Sequence, residues 1–361
     1  MKVTVDNDQI TSEVSRIMDY EFDGTTTFYP HEFSPIDRET TLKEFGIGLI
    51  VGPSGSGKTT LLKEFGSEVE PEWDSNKAIA SHFKDIDDVQ DRLGAVGFNS
   101  IPSWLRPYHV LSNGEQFRAR LARQLDSNIV VDEFTSVIDR DVAKSCSNAI
   151  SRYVKRNNLK NIVFSSCHYD IIEWLQPDWV FDTHTGRLTT RGYQRPDIVL
   201  EILPCTRDIW TLFSDHHYLD GNIHSGASCW IAVWNDRLVG FLSSLSMPSG
   251  SLKNAWRGHR TVVLPEFQGL GIGARMTEAM GELHLIEGKR YFTKTAHPRL
   301  GEFRNNSDKW RGTSKNGISR QDYKTGSMAN PDKPSYGGFA DSHFKHADRV
   351  CYSHEYIGDE K

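Results

Sequence analysis

The sequence contains few cysteines, and they follow no metal-binding or disulfide pattern. The five cysteines of this 361-residue chain are scattered, odd in number and free of any Cys-x-x-Cys pair. A zinc site or a disulfide framework needs closely spaced or evenly paired cysteines, so both are disfavoured. We therefore expect reduced, buried thiols at Cys146, Cys167, Cys205, Cys229 and Cys351.

Long apolar runs are also absent from the sequence. No segment approaches the roughly 20 apolar residues that a membrane-spanning helix needs. The opening stretch, MKVTVDNDQITSEVSRIMDYEF, is acidic and has no apolar core. We therefore expect no signal peptide, no membrane partner and a cytoplasmic protein.

Charge of either sign is not in large excess, but it is unevenly distributed. A formal net charge of −6 excludes no class of partner. Between Lys289 and Lys324, however, ten basic residues face three acidic ones. Such a stretch is either a solvated face or a patch for an anionic partner, which would be the phosphates of a cofactor or a nucleic acid. Both interpretations stay open at this point.

A glycine-rich loop follows a short apolar strand in the first part of the chain. The run FGIGLIV, residues 45–51, predicts a buried strand, and GPSGSGKT, residues 52–59, opens a helix. In a loop of this spacing the backbone N–H groups surround a phosphate, Lys58 reaches the β- and γ-phosphates, and the Thr59 hydroxyl binds Mg²⁺. The predicted ATP contacts are Gly52, Pro53, Ser54, Gly55, Ser56, Gly57, Lys58, Thr59 and Thr60.

Four further motifs follow in order. LSNGEQFRARLAR begins at Leu111, a strand then ends in Asp132 and Glu133, TSVID comes next, and a strand over residues 161–167 ends at His168. With the glycine loop, this order resembles the ABC class of ATPases over roughly the first half of the chain. Taken singly, Glu133 could be a surface acid and His168 a core histidine.

The resemblance implies a role for each of these residues. Asp132 would order the Mg²⁺ shell, and Glu133 would polarise the attacking water. His168 would contact the γ-phosphate, and Tyr29 would stack on adenine unless the run TTTFYP is a packed strand. In this family the signature segment of one protomer caps the nucleotide of another, so we expect a homodimer. The remaining predicted nucleotide contacts are Ser112, Gly114 and Asp139.

The chain departs from the transporter members of that class. Asn113 stands where the signature usually has glycine, and the stretch between Lys58 and Ser112 is shorter than the insert with which transporter subunits dock on their membrane partner. No Q-loop glutamine is evident, because residues 93–98 predict a strand that is followed by Asn99. We therefore expect no transporter subunit as a partner and a closer relation to the soluble ABC ATPases.

A second glycine-rich loop lies in the second half of the chain. CWIAVW and LVGFLSS, separated by a short polar turn, predict a hairpin. An apolar strand then leads to QGLGIG at residues 268–273, a helix to about Glu287 and a strand over residues 290–295. A dinucleotide-binding unit would carry its glycines in the first turn of a parallel fold, whereas these follow a hairpin. From about Asp197 onward the chain resembles the GNAT superfamily of acyl-CoA-dependent N-acyltransferases.

That resemblance implies a coenzyme A site at the second loop. Free N–H groups at the helix N-terminus would accept the pyrophosphate, and the strand before the loop would hydrogen-bond the pantetheine arm. His259 and His297 are candidate acid/base groups, with structural histidines as an equal alternative. Trp310 lies in the region where the family usually has a tyrosine that protonates the CoA thiolate. The predicted acyl-CoA contacts are Val262, Val263, Leu264, Gln268, Gly269, Leu270, Gly271, Ile272, Gly273, Ala274 and Asn305.

The sequence thus predicts an α/β protein with two domains. Residues 1–196 would form an ABC-type P-loop ATPase domain, and residues 197–361 a GNAT α+β acyltransferase domain with a long loop over residues 312–339. The expected activities are ATP hydrolysis and acyl transfer from acetyl-CoA or another acyl-CoA, with DNA or RNA as the acceptor. Two alternatives stay open: a small-molecule or protein N-acetyltransferase whose ABC domain is a regulatory switch, or a CoA-sensing module that gates the ATPase.

Overall fold

Two compact units make up the part of the chain that the computed structural model describes, which is residues 2–27, 42, 44–190, 192–217, 221–318 and 350–359. The first unit contains Met1–Glu72, Arg123–Ile138 and Ser151–Arg195, and the second contains Trp73–Ala122, Asp139–Ile150 and Pro196–Lys361. The units therefore alternate along the sequence. The predicted domain boundary between residues 196 and 197 stays a prediction.

A small antiparallel ribbon and one helix form the N-terminal part of the first unit. β1 (Lys2–Thr4) pairs with β2 (Thr25–Thr27), and α1 (Gln9–Ile17) lies between them in the sequence. The Asp8 carboxylate accepts the N–H of Thr11, and the Thr11 hydroxyl accepts the N–H of Asp8. This reciprocal capping sets the start of the helix.

A five-stranded sheet forms the core of the first unit. Its strands are β3 (Ile47–Val51), β4 (Val130–Val131), β5 (Ile162–Ser166), β6 (Trp179–Asp182) and β7 (Arg187–Thr189), in the order β4-β5-β3-β6-β7. All neighbours are parallel except β6 and β7. β3 and β5 are buried along their whole length, which is why neither strand contains a charged residue.

The helices that lie between these strands in the sequence are of unequal length. In chain order they are α2 (Lys58–Leu62), α3 (Ile86–Ala95), α4 (Ile101–Trp104), α5 (Asn113–Gln124), α6 (Arg140–Arg156) and α7 (Ile172–Leu175). The core of the first unit is closed by Trp179, whose ring stacks on Phe65 at 5.4 Å and meets Phe45 edge-on at 5.5 Å. Short 3-10 turns occur at Ile79–His82, Tyr108–Val110, Arg207–Leu212, Ser214–His216 and Pro265–Phe267.

The predicted strand over residues 93–98 is wrong, because these residues end a helix. α3 starts after Asp85, whose side chain accepts the N–H of Asp88 at 2.9 Å, and it buries Val89 and Leu93 four residues apart. Gly97, with φ of 70°, follows the helix end. Residues 93–98 are mostly apolar, which led to the strand prediction, but the four-residue spacing of Val89 and Leu93 is typical of a helix.

A seven-stranded sheet forms the core of the second unit. Its strands are β8 (Glu201–Cys205), β9 (Ser228–Trp234), β10 (Arg237–Ser246), β11 (Ala255–Val263), β12 (Arg290–Thr295), β13 (Trp310–Gly312) and β14 (Tyr352–Tyr356), in the order β13-β14-β12-β11-β10-β9-β8. The predicted hairpin is confirmed as β9 and β10. β11 and β12 are the one parallel pair in this sheet over the described residues.

Two further helices follow strands of the second unit, to which α3, α4, residues 113–122 of α5 and residues 140–150 of α6 also belong. α8 (Ile272–Ile286) connects the parallel strands β11 and β12, and α9 (Pro298–Asn305) follows β12. Two parallel strands need such a crossover, because a hairpin joins only antiparallel strands. Met276 and Met280 of α8 are fully buried against the sheet with Tyr291. This packing fixes where the helix starts relative to β11.

The predicted α/β fold class is confirmed, with a mainly parallel sheet in one unit and a mixed sheet in the other.

All five cysteines are free, as expected from their spacing. Burial raises the pKa of the Cys146 thiol to about 12. Cys167 is exposed and Cys205 is half-buried, which corrects the expectation that all five thiols are buried.

We predict that Gly48→Ala destabilises the protein by about 1–3 kcal/mol because it overpacks the core of the first unit. A Cβ on Gly48 would lie 2.1 Å from a ring carbon of Trp179, which is 2% exposed. The control is Gly250→Ala, where a Cβ meets no heavy atom within 4 Å. Urea denaturation measures both variants, and equal midpoints would contradict the packing described here.

Candidate functional site

The carboxyl ends of three parallel strands meet at one edge of the first sheet. Val51, the last residue of β3, pairs with Ser166 of β5 on one side and with Asp182 of β6 on the other. The loops that follow these strands therefore emerge side by side. In open parallel sheets this edge is where ligands bind.

The first glycine loop curls at this edge in a way that a larger residue would block. Gly52 has a φ of 153°, and a Cβ there would lie 2.0 Å from the Thr183 hydroxyl oxygen. Gly57 has a φ of 86° and precedes α2 without any side-chain cap. Lys58 Nζ donates to the carbonyl oxygens of Gly52 and Pro53 at 2.9 and 2.7 Å. The Lys58 side chain thus lies over the loop whose bound phosphates it is predicted to contact.

Asp132 and Glu133 follow β4 and are held by a serine that sequence analysis did not identify. Ser165 donates its hydroxyl to Asp132 Oδ1, which also accepts the Glu133 N–H at 2.9 Å. The other carboxylate oxygen of Asp132, Oδ2, has no hydrogen-bond partner among the described residues. Glu133 is exposed and has a φ of 48°. One carboxylate is therefore oriented with a free oxygen, and the next is presented to solvent.

His168 joins the turn that follows these carboxylates. Its Nδ1 lies 3.2 Å from the hydroxyl of Thr135, a fully buried residue with φ of 72°. The His168 N–H donates to Ser166 Oγ at 3.1 Å. Histidine and turn are therefore linked at the strand ends. Thr183, another residue missed in the sequence, lies 2.5 Å from Ser56 Oγ of the glycine loop.

Ser112 is the N-cap of α5 in the second unit. Its N–H and its hydroxyl both donate to Glu115 Oε2 at 3.0 Å, and Ser103 donates to the other Glu115 oxygen at 2.8 Å. Burial raises the pKa of Glu115, but these hydrogen bonds outweigh it, so the net pKa lies below its usual value. Ser112 and Asn113 are exposed, so the signature segment is available to a partner.

The parallel strands of the second sheet diverge. β11 pairs with β12 only through Ala255–Arg257 and Arg290–Phe292, although each strand continues for at least three more residues. An opening between two strand edges therefore starts at Gly258. Backbone groups along such an opening can hydrogen-bond an extended ligand that carries amides.

The second glycine loop lies at the end of β11. Gly271 has a φ of 84° and precedes α8, and no side chain caps this helix. The first N–H groups of α8 therefore lack the intrahelical partners that later residues have. The Gln268 side chain donates to the Val263 carbonyl oxygen at 3.0 Å, which holds the loop against the strand. An anionic group bound here would accept hydrogen bonds from these N–H groups.

His259 lies at an irregularity beside the strand opening. Ser243 and Ser244 of β10 pair with Arg260 and Gly258, so His259 is an extra residue in β11. Its Nε2 accepts the N–H of His224 at 3.2 Å. A bulge re-aims side chains, and it places this half-buried imidazole next to the point where the strands separate.

The other predicted acid/base group is less suited to that role. His297 is the N-cap residue of α9, and its Nδ1 is buried with no hydrogen-bond partner among the described residues. Burial and the nearby Arg299 lower the pKa of His297, so its neutral form is favoured.

Tyr291, which sequence analysis missed, has its hydroxyl 2.9 Å from where a Cβ on Gly258 would stand. Burial raises the pKa of Tyr291 to about 12.

Asn305 is engaged away from the glycine loop. Its Oδ1 accepts the Asn316 side-chain N–H at 2.9 Å and lies 2.7 Å from His354 Nε2. His354 is buried in β14, and burial followed by the charge of Arg304 lowers its pKa to about 4. The Asn305 amide oxygen is thus occupied by Asn316 and His354, and its predicted CoA contact stays a prediction.

The basic stretch carries less free charge than its sequence suggests. Of its eight described basic residues, five have an acidic partner, and Arg304 is 2% exposed and lies over the Trp310 ring. The ion pairs are Lys289 with Glu287, Arg290 and Arg311 with Glu355, Arg299 with Asp91, and Lys309 with Asp359. All four of these acidic partners lie outside the stretch, so its composition alone overstated the positive charge.

Some predicted features lie outside the described residues. They are Tyr29, the basic residues Arg320 and Lys324, and most of the predicted loop over residues 312–339. Among the residues that are described, no helix has the length and apolar character needed to cross a membrane.

One family model matches part of the chain. Residues 195–296 match the model of the acetyltransferase (GNAT) family. The match includes the second glycine loop at residues 268–273. No curated protein sequence matches the chain.

Solved structures of both kinds are similar to parts of the chain. The IAA acetyltransferase from Bacillus cereus ATCC 14579 is 13% identical with a TM-score of 0.28, covering 44% of this chain and 99% of that protein. A GNAT acetyltransferase from Elizabethkingia anophelis with acetyl-CoA bound is 14% identical with a TM-score of 0.29, covering 44% and 97%. A dimeric bacterial ABC transporter cassette is 16% identical with a TM-score of 0.32, covering 42% and 88%.

Proposed function

We propose that the protein is an acyl-CoA-dependent N-acyltransferase that carries an ATP-hydrolysing ABC domain in the same chain. The acyltransferase would occupy residues 197–361 and the ATPase residues 1–196. The observation that carries the proposal is the opening between β11 and β12, which has the uncapped start of α8 at one end and His259 at the other.

The opening fits the donor, acetyl-CoA or another acyl-CoA. N–H groups at Gly271 and the start of α8 would bind the pyrophosphate, and the separated strand edges would pair with the pantetheine amides. The amine nitrogen of the acceptor then forms a bond to the acyl carbon while the carbon–sulfur bond breaks. His259 Nε2 would release the His224 N–H and take the amine proton, and the neutral Tyr291 phenol would give a proton to the thiolate.

The first glycine loop fits a nucleotide whose phosphates react. Lys58 would move from the loop carbonyls to the phosphates, Glu133 would polarise the attacking water, and His168 would contact the γ-phosphate. Mg²⁺ prefers a carboxylate, a hydroxyl and phosphate oxygens, and the free Oδ2 of Asp132 with the exposed Thr59 hydroxyl supplies the first two. The exposed signature Ser112 would bind the nucleotide of a second protomer, so we propose a homodimer.

The acceptor that the structure favours is an amine on a small molecule or a protein. A nucleic acid would need many unpaired cations, because its affinity comes largely from phosphate contacts. The basic stretch keeps few of them among the described residues, since Glu355 alone pairs with two of its arginines. In this proposal the ABC domain acts as a switch rather than as a nucleic-acid clamp.

Acetyl-CoA binding tests the proposal, and Gly271→Asp is the test variant. Aspartate there would place a negative charge in the pyrophosphate site, so calorimetry should detect no acetyl-CoA binding while ATP hydrolysis continues. Gly288→Asp is the matched control: its φ is also positive, at 67°, and a Cβ there meets nothing within 4 Å. Unchanged acetyl-CoA affinity in Gly271→Asp would show that residues 268–273 do not bind the donor.

The acceptor is identified with labelled acetyl-CoA and separated cell fractions. Small-molecule, protein and nucleic-acid fractions are incubated with the wild type and with Gly271→Asp, and products are analysed by mass spectrometry. We expect label in the small-molecule or protein fraction with the wild type alone. Label in modified nucleosides would instead establish the nucleic-acid acceptor.

We predict that Glu133→Gln traps an ATP-bound dimer. The change removes the carboxylate that would polarise water, whereas Asp132 keeps the hydrogen bonds that it accepts from the Ser165 hydroxyl and the backbone N–H of residue 133. Size-exclusion chromatography with light scattering should show a dimer with ATP and a monomer without it. The double variant with Lys58→Ala is the control that cannot hold the nucleotide. A Glu133→Gln protein that stays monomeric at saturating ATP would contradict the dimer.

A further inference from the structure

The second glycine loop is anchored by a helix that lies outside the matched GNAT region in sequence. Residues 140–150 of α6 belong to the same compact unit as the loop. The Ser145 hydroxyl lies 2.6 Å from the Glu266 carbonyl oxygen and 2.7 Å from the Asp141 carbonyl oxygen of its own helix, and it can donate to either. The Asn148 side chain donates to the Gly269 carbonyl oxygen at 2.7 Å. Ser145 and Asn148 are 2% and 1% exposed, so water does not compete for either bond.

A third contact comes from the same face of α6. Asp141 forms an ion pair with Arg237, and the Arg237 guanidinium lies 5.1 Å from the centre of the Phe267 ring. Residues 141, 145 and 148 are spaced four and three apart, which places them on one side of a helix. This face of α6 therefore contacts the segment just before the glycines as well as the glycines themselves.

The backbones approach so closely that only glycine fits. A Cβ on Gly269 would lie 3.2 Å from the Ser145 carbonyl oxygen and 3.3 Å from the Gly97 Cα. Gly269 also has a φ of 95°, a conformation that other residues rarely adopt. Gly97, with φ of 70°, would in turn bring a Cβ to 3.1 Å from the Gln268 carbonyl oxygen. These close contacts prevent the second glycine loop from moving nearer to α6.

Fixing this carbonyl also fixes the direction of an N–H group. In a trans peptide the C=O and the following N–H point in opposite directions, so the Gly269 carbonyl and the Leu270 N–H are coupled. No peptide bond in the described residues is cis. Because Asn148 holds the Gly269 oxygen toward α6, the Leu270 N–H points away from α6. That orientation is the one an anion-binding loop requires, with carbonyls inward and N–H groups outward.

We propose that Ser145 and Asn148 are positioning residues for the acyl-CoA loop. The inference rests on the proposed donor site at residues 268–273. The two side chains hold the loop carbonyls, and the N–H groups that would bind the pyrophosphate are thereby oriented before the donor arrives. Pre-orientation lowers the entropic cost of binding, so its loss weakens donor affinity without altering the chemical step.

The test compares Ser145→Ala, Asn148→Ala and two matched variants. Ser147→Ala removes an equally buried hydroxyl two residues away, one that donates to Ala143 of its own helix at 2.7 Å. Ser145→Thr keeps the hydroxyl. For Ser145→Ala and Asn148→Ala we expect the acetyl-CoA Kd and KM to rise about tenfold with kcat unchanged, as for the loss of one buried hydrogen bond. Ser147→Ala and Ser145→Thr should bind as the wild type does.

The outcomes separate this inference from the proposed function. A wild-type protein that binds no acetyl-CoA removes the proposed donor site itself. Wild-type binding with an unchanged Kd in both alanine variants overturns the positioning role, and so does a fall in kcat at unchanged KM. If Asn148→Ala does not fold, the pair Ser145→Ala and Ser145→Thr decides, because the two differ by whether the hydroxyl is kept. An equal loss of affinity in Ser147→Ala would also overturn the role.

Discussion

Backbone N–H groups that no side chain satisfies are the constraint on which this structure depends. Both glycine loops end in a glycine with a positive φ, 86° at Gly57 and 84° at Gly271, and neither following helix has a side-chain cap. Most helices satisfy these donors with a capping serine, threonine or aspartate, as Asp8 does for α1. A bound anion would accept hydrogen bonds from these donors and stabilise the helix start.

The surroundings of the two loops differ because their ligands would be treated differently. The first loop lies at a sheet edge with Lys58, two carboxylates and His168, groups that can stabilise and activate a reacting phosphate. The second loop has no lysine among its glycines and lies beside an opening between strands. It suits phosphates that are only held, while the chemistry takes place further along the opening near His259.

Local patterns allowed much of this to be predicted from the sequence. Each glycine loop follows an apolar strand and precedes a helix, and such strand–loop–helix units form from residues adjacent in the chain. The strand predicted over residues 93–98 failed on a local pattern, whereas other predictions failed where distant residues decide. Glu355 and Asp359 neutralise arginines and lysines of the basic stretch, and no spacing rule reveals those pairs. The contact of Asn148 with Gly269 joins residues 121 positions apart, so it was equally invisible.

The central claim is that each glycine loop binds its own ligand, and hydrogen–deuterium exchange tests it most directly. Exchange of backbone N–H groups is followed by mass spectrometry with acetyl-CoA, with ATP and Mg²⁺, and without ligand. The account predicts that acetyl-CoA slows exchange over residues 262–275 and leaves residues 52–60 unchanged, and that ATP has the reverse pattern. Protection of residues 52–60 by acetyl-CoA, or no protection of residues 262–275, would contradict it.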